Sequence, residues 1–166
     1  MSSTNPKPSR LVPLLVGLVL GVLLTGTGVW MVMPSLMLQV HESRFADVDT
    51  TSQELKEAAE AAGWMVPAIR DMNASMAKQG VQHEGPVRIV ELCKAPYAHE
   101  VLTDNPEVST LMPCAYGVYQ GADGKVYISS MNMGLMGRMF GGTIAEVMGG
   151  KVAPEEEQIL SAVVKE

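Results

Sequence analysis

Charge is scarce in this sequence: only 18% of its 166 residues are charged, and none lies between Leu11 and Val40. Cysteine is scarcer still, with two residues, Cys93 and Cys114. No Cys-x-x-Cys, nucleophile elbow, metalloprotease helix or dinucleotide fingerprint occurs anywhere in the chain. The cysteines therefore lack zinc-finger spacing, and the familiar hydrolase and oxidoreductase signatures are excluded. With 47% hydrophobic residues, so little charge also excludes a disordered chain. The length leaves room for one modest domain, not a multidomain enzyme. Basic stripes are missing as well. Lys7 and Arg10 are the only bases before residue 40, so residues 41–166 set the remaining 10 against all 18 acids, a balance of −8. Such a body is repelled by a phosphate backbone, so no nucleic acid is expected as a partner.

What is present begins with the apolar run. Leu11 to Met33 supplies 23 uncharged, mostly aliphatic positions, and about 20 span a bilayer as a helix. The two bases precede it, which holds residues 1–10 in the cytoplasm and sends the rest across. A cleaved secretory signal has a shorter apolar core and a small-x-small site; Gly26 and Gly28 offer only a weak one. The sequence thus predicts a single-pass protein of a bacterial-type inner membrane, with a transmembrane anchor over 11–33, a juxtamembrane strand over 34–46 and a periplasmic domain over 41–166. In that oxidising compartment a disulfide between the cysteines is an open option.

The exported body alternates strand and helix signals. Helix formers from Thr50 to Ala62 are preceded by Asp47 and Asp49 and closed by Gly63. Trp64 to Arg70 reads as a strand whose Pro67 demands an edge or a bulge. A short helix over 71–78 ends at Gly80, and Val87 to Leu92 alternates as a strand that delivers Cys93. A helix then starts near Pro96. Strands over 114–119 and 125–129 flank an Asp123-Gly124 hairpin signal. Leu135 to Met148 has helical spacing despite its glycines, and Pro154 to Val163 opens with Pro and acids, as helices do. The expected fold class is α+β: a small, mostly antiparallel sheet with helices packed on one face, preceded by one N-terminal transmembrane helix.

Four motifs in order carry a family resemblance: Gly63-Trp64 after a helix, Glu91-Leu92-Cys93, Leu111-Met112-Pro113-Cys114, and Met131 to Met136 followed by Met139-Phe140-Gly141. Together they resemble the domain of unknown function 302 family over residues 41 to 160. The resemblance implies a compact α+β domain, exported or membrane-anchored. It carries no catalytic residue.

Candidate chemistry rests on sulfur. Cys93 and Cys114 are candidates for a structural disulfide, which contributes about 3 kcal/mol for a loop of this size, for a redox or metal-binding thiol pair, or for two separate buried thiols. Lys94 and a helix N-terminus after Cys93 favour a thiolate there. Methionine is the compositional outlier, with 13 residues. Met131, Met133, Met136 and Met139, with both cysteines and His99, form the soft donor set that copper(I) would want; the competing reading is that these methionines pack a core or a docking face. His41 and His83 read as solvated, and Glu155 to Glu157 as the solvated first turn of a helix. The interleaved glycines Gly134, Gly137, Gly141 and Gly142 weaken a helix and signal close backbone approach to a neighbour. The leading functional expectation is a non-catalytic module that binds a small ligand, a soft metal or a partner protein on its Cys/Met-rich side. The alternatives are a thiol-disulfide redox carrier, or an accessory subunit of a membrane respiratory or sulfur-handling complex. Homo-oligomerisation is left open.

Overall fold

The computed structural model describes residues 11–112 and 114–165, with side chains from Pro13 onward. Lys7 and Arg10, on which the expected orientation rests, lie outside the described residues. The chain divides into two compact units with the boundary between Ser35 and Leu36.

The first unit is essentially one helix, α1 (Leu11–Met37). Its Pro13–Met37 stretch has a mean hydropathy of 2.1 and no buried residue, long and apolar enough to cross a membrane. The helix passes Met33, where a strand was expected to take over, and runs through Pro34. Proline removes one backbone donor. The Ser35 hydroxyl donates to the Val32 carbonyl at 2.7 Å, satisfying an acceptor in that last turn.

The second unit is a five-stranded antiparallel sheet in the order β1-β5-β4-β3-β2. Its strands are β1 (Leu38–Glu42), β2 (Met65–Asp71), β3 (Val87–Cys93), β4 (Cys114–Gln120) and β5 (Val126–Met131). α2 (Val48–Ala61) starts where the Asp47 carboxylate accepts the Thr50 N–H at 2.7 Å and ends at Gly63, whose φ of +79° suits only glycine. β2 is an edge strand, and its pairing with β3 slips between Met65 and Ala68, where Pro67 has no N–H to offer. α3 (Met72–Ala77) is capped by Asp71. α4 (Ala95–Asp104) follows β3 directly, and a 3-10 turn (Pro106–Leu111), not foreseen in the sequence, leads into β4. β4 and β5 form the expected hairpin, its turn closed by Gly121 N–H donating to the Lys125 carbonyl at 2.8 Å.

The largest departure comes after β5. One helix was expected over 135–148; instead α5 (Met133–Phe140) stops at Gly141 and Gly142, both at positive φ. The chain restarts as a short α6 (Gly142–Ile144), widens into a π-helix (Ala145–Val152) and continues into α7 (Ala153–Ser161). α5 lies against the π-helix so closely that a Cβ on Gly137 would stand 2.9 Å from the Gly149 nitrogen, which explains the glycine there. The core fills between α2, α7 and the π-helix and one face of the sheet, with Leu55, Val90, Val118, Ile128, Val147 and Ile159 among its buried residues.

Candidate functional site

A cavity of about 420 Å³ opens where β2, β3, α4, the 3-10 turn and the π-helix meet. Its wall is almost wholly apolar: Trp64, Met65, Pro67, Leu92, Tyr97, Leu102, Met112, Met148 and Val152 line it, and both cysteines join them. The β-bulge at Pro67 and the glycine turn at Gly63 place Trp64 and Met65 on its rim. β3 and β4 bring the sulfurs there, because Leu92 pairs with Cys114 and Cys93 is the next residue.

Beside the cavity stands a cage around Glu155 on α7. One carboxylate oxygen accepts from Trp64 Nε1–H at 2.8 Å and from Lys94 Nζ at 2.7 Å; the other accepts from the Tyr97 hydroxyl at 2.7 Å. Lys94 also donates to the Ala62 carbonyl, and its ammonium lies 5.5 Å and 5.0 Å from the Trp64 and Tyr97 ring centres. Burial alone would raise the Glu155 pKa, but the three donors outweigh it and hold the carboxyl below its ordinary value. Glu155 in turn pushes the Tyr97 hydroxyl up, chiefly through their hydrogen bond. The two rings meet edge to face with centres 6.1 Å apart, so the aromatic wall is fixed from behind by ion pair and hydrogen bonds.

The sulfur chemistry differs from the sequence reading. Lys94, expected to activate Cys93, is committed to Glu155. Burial, followed by the charges of Glu156 and Cys93, pushes the Cys114 thiol up to about 11, so it is protonated at neutral pH. Both cysteines are free thiols. Of the seven-residue soft donor set, only Cys93 and Cys114 reach this cavity. Met133 and Met136 are buried in the core, Met131 packs against it, and His99 and Met139 are exposed. The methionines that do share the cavity wall are Met65, Met112 and Met148. Among the described residues no group of three His, Cys, Asp or Glu converges as a metal site.

The acidic run is not the solvated turn that its composition predicts. Glu155 is the hub of the cage and Glu156 is buried at 7% exposure; of the three only Glu157 is solvated. Burial pushes the Glu156 carboxyl up to about 7, while the facing Ser130 and Tyr116 hydroxyls act the other way. Burial also raises the pKa of Tyr116 itself. A helical turn opening Pro-Glu-Glu-Glu looks solvated from composition alone. The usable signal was the apolar pair Ile159 and Leu160, three and four residues on, which share a helix face with Glu156 and turn it inward with them.

The sequence profile of the family described as Domain of unknown function DUF302 matches residues 39–165. The chain belongs to the DUF302 family. The match begins one residue into β1 and leaves α1 outside it. A solved relative in fold is the crystal structure of an uncharacterized conserved protein DUF302 from Bacillus stearothermophilus, with 19% sequence identity and a TM-score of 0.67. The similarity covers 76% of this chain and 98% of that one. No curated protein matches this DUF302 chain.

Proposed function

We propose that this DUF302 chain is a membrane-anchored, periplasmic binding module that takes a small apolar molecule into the cavity between Trp64, Tyr97 and Met112. The apolar cavity itself carries the reading: its volume falls in the range of small-molecule sites, and its rim is rigidified by the Glu155 cage. A site meant for an ionic ligand would hold an uncommitted charge, whereas Lys94 is neutralised by Glu155 at 2.7 Å. The test uses a neutral apolar fluorophore, N-phenyl-1-naphthylamine, titrated into the Trp30→Phe chain so that Trp64 reports alone. Saturable quenching of Trp64, weakened by Ala98→Phe, supports the reading. Absence of saturation, or equal affinity in the filled variant, sinks it.

The anchoring rests on the length and hydropathy of α1, and the orientation on Lys7 and Arg10. Protease added to intact spheroplasts should digest the DUF302 domain; protection would reverse the topology. A second reading, a dithiol that cycles with a disulfide, is favoured by the two thiols in one cavity wall. Free-thiol counting across a series of thiol-disulfide buffers tests it. Copper(I) binding is the weaker form of the sulfur reading, since the expected methionines and His99 lie elsewhere, and titration of the reduced chain against a copper(I) chelator decides it.

A further inference from the structure

A second, polar cleft of about 670 Å³ lies between β1, α5 and α7. Gln39 and Glu156 are among its lining residues, and the stretch of sheet behind them is unlike the rest of the core. On the inner face of the sheet Gln39 of β1 pairs with Ser130 of β5, and the neighbouring pair Gly117 with Ser129 sets Tyr116 of β4 opposite Ser130. The three make a polar row where the adjacent inner-face residues are Ile128 and Val118, both fully buried. Glu156 of α7 faces the Ser130 and Tyr116 hydroxyls and also lines the cleft.

Two groups here are left incomplete. Ser130 Oγ is buried, with the residue 4% exposed, and makes no hydrogen bond of standard geometry. Among the described residues no cation forms a salt bridge with Glu156, in contrast to Glu155 next to it, which holds Lys94. A buried carboxylate without a cation costs stability, and the Ser130 and Tyr116 hydroxyls that face it offset that cost only in part. Arg138 of α5, exposed, also lines the cleft and presents a guanidinium that no salt bridge among the described residues engages. His41 of β1 shares the lining.

We propose that this cleft binds a small zwitterion, its ammonium group on the Glu156 carboxylate and its acidic group on Arg138. The ammonium supplies the missing cation to Glu156, and the guanidinium is suited to bidentate capture of a carboxylate at the exposed Arg138. The site is separate from the apolar cavity and stands whether or not that cavity binds a ligand.

The test is calorimetric titration of the full chain in detergent micelles with 4-aminobutanoate, butylamine and butyrate as probes at millimolar concentrations. The zwitterion is expected to bind one per chain and more tightly than either single-charge probe. Glu156→Gln and Arg138→Gln are each expected to weaken it by at least about tenfold. Arg138 is exposed, so its variant folds whatever happens at the buried carboxyl. No saturable binding of 4-aminobutanoate, parity with either single-charge probe, or undiminished binding in either variant overturns the proposal.

Discussion

Glu156→Gln should make the protein more stable at alkaline pH, and the gain can be sized from the carboxyl's surroundings. An acid with its pKa raised from 4.5 to about 7 keeps its proton in the fold through a range where the unfolded chain has lost it. Between those values the native state binds more protons than the unfolded state, so this group's contribution to stability is complete below pH 4.5 and declines as pH rises to 7. Each pKa unit corresponds to about 1.4 kcal/mol, so a shift of this size amounts to roughly 3–4 kcal/mol at most. Glutamine keeps the shape and a hydrogen-bonding group without the proton equilibrium. Urea unfolding of the Trp30→Phe chain in micelles, followed by Trp64 emission from about pH 5 to 8.5, measures the effect in parent and variant. Glu42, Asp47, Asp123 and Glu155, whose pKa values are lowered, tilt stability the opposite way, but they do so in both chains. The difference between the curves therefore isolates Glu156. It should open upward as pH rises through about 7 and level off roughly one pH unit above that. Parallel curves across the whole range would refute the burial argument.

Three further outcomes follow from the packing and the cage. Gly137→Ala drives a Cβ to 2.9 Å from the backbone nitrogen of Gly149, an atom that no side-chain rotation can move, and should destabilise the domain by about 1–3 kcal/mol in urea titration; an unchanged midpoint would show that α5 can lift off the π-helix freely. Glu155→Gln should cost about 1–3 kcal/mol and shift Trp64 emission to the red, because Lys94 keeps its charge in a half-buried place without its counter-ion; an unmoved spectrum would remove the cage from the argument. At about pH 8 only about one Cys114 thiol in a thousand is ionised, so iodoacetamide followed by peptide mass spectrometry should find it roughly a hundredfold slower than the same residue in the urea-unfolded chain, and comparable rates would contradict its burial.

Elements whose signals are local were legible in the sequence. Asp47 before α2, Gly63 after it, Pro67 in β2 and Asp123-Gly124 in the hairpin each dictate backbone geometry over a few residues, and the chain obeys them. The family resemblance and the α+β class it implies both hold. Elements decided by distant partners were not legible. Helical spacing from Leu135 to Met148 conceals the break at Gly141, because what counts there is the approach of Gly137 to Gly149 across two helices. The 3-10 turn over 106–111 has no periodic pattern of its own. At the site, Cys93 and Cys114 were visible by their chemistry, while Trp64, Tyr97, Glu155, Tyr116, Ser130 and Glu156 matter through contacts between elements far apart in the chain, which spacing does not encode. Methionine number suggested a donor set, but the thioethers that share a wall with the thiols come from β2, the segment before β4 and the π-helix, a convergence that spacing does not encode.

The π-helix also acts as a phase adjuster. It runs into α7 without leaving right-handed helical geometry, so the rotation it adds is passed to every residue beyond it. A regular helix turns about 100° per residue. Removing one residue between Ala145 and Val152 while the segment keeps its wide pitch would rotate the following turn by nearly that angle. Glu156 would then move toward the place Glu155 now holds among Trp64, Lys94 and Tyr97, and Glu157 toward the polar row under the sheet. Two adjacent carboxylates, about 100° apart around α7, serve two different hollows, and the segment before them sets which carboxylate meets which hollow. The number of residues in this stretch is thus more tightly constrained than their identity, and single-residue deletions there should harm the protein more than most substitutions at the same positions.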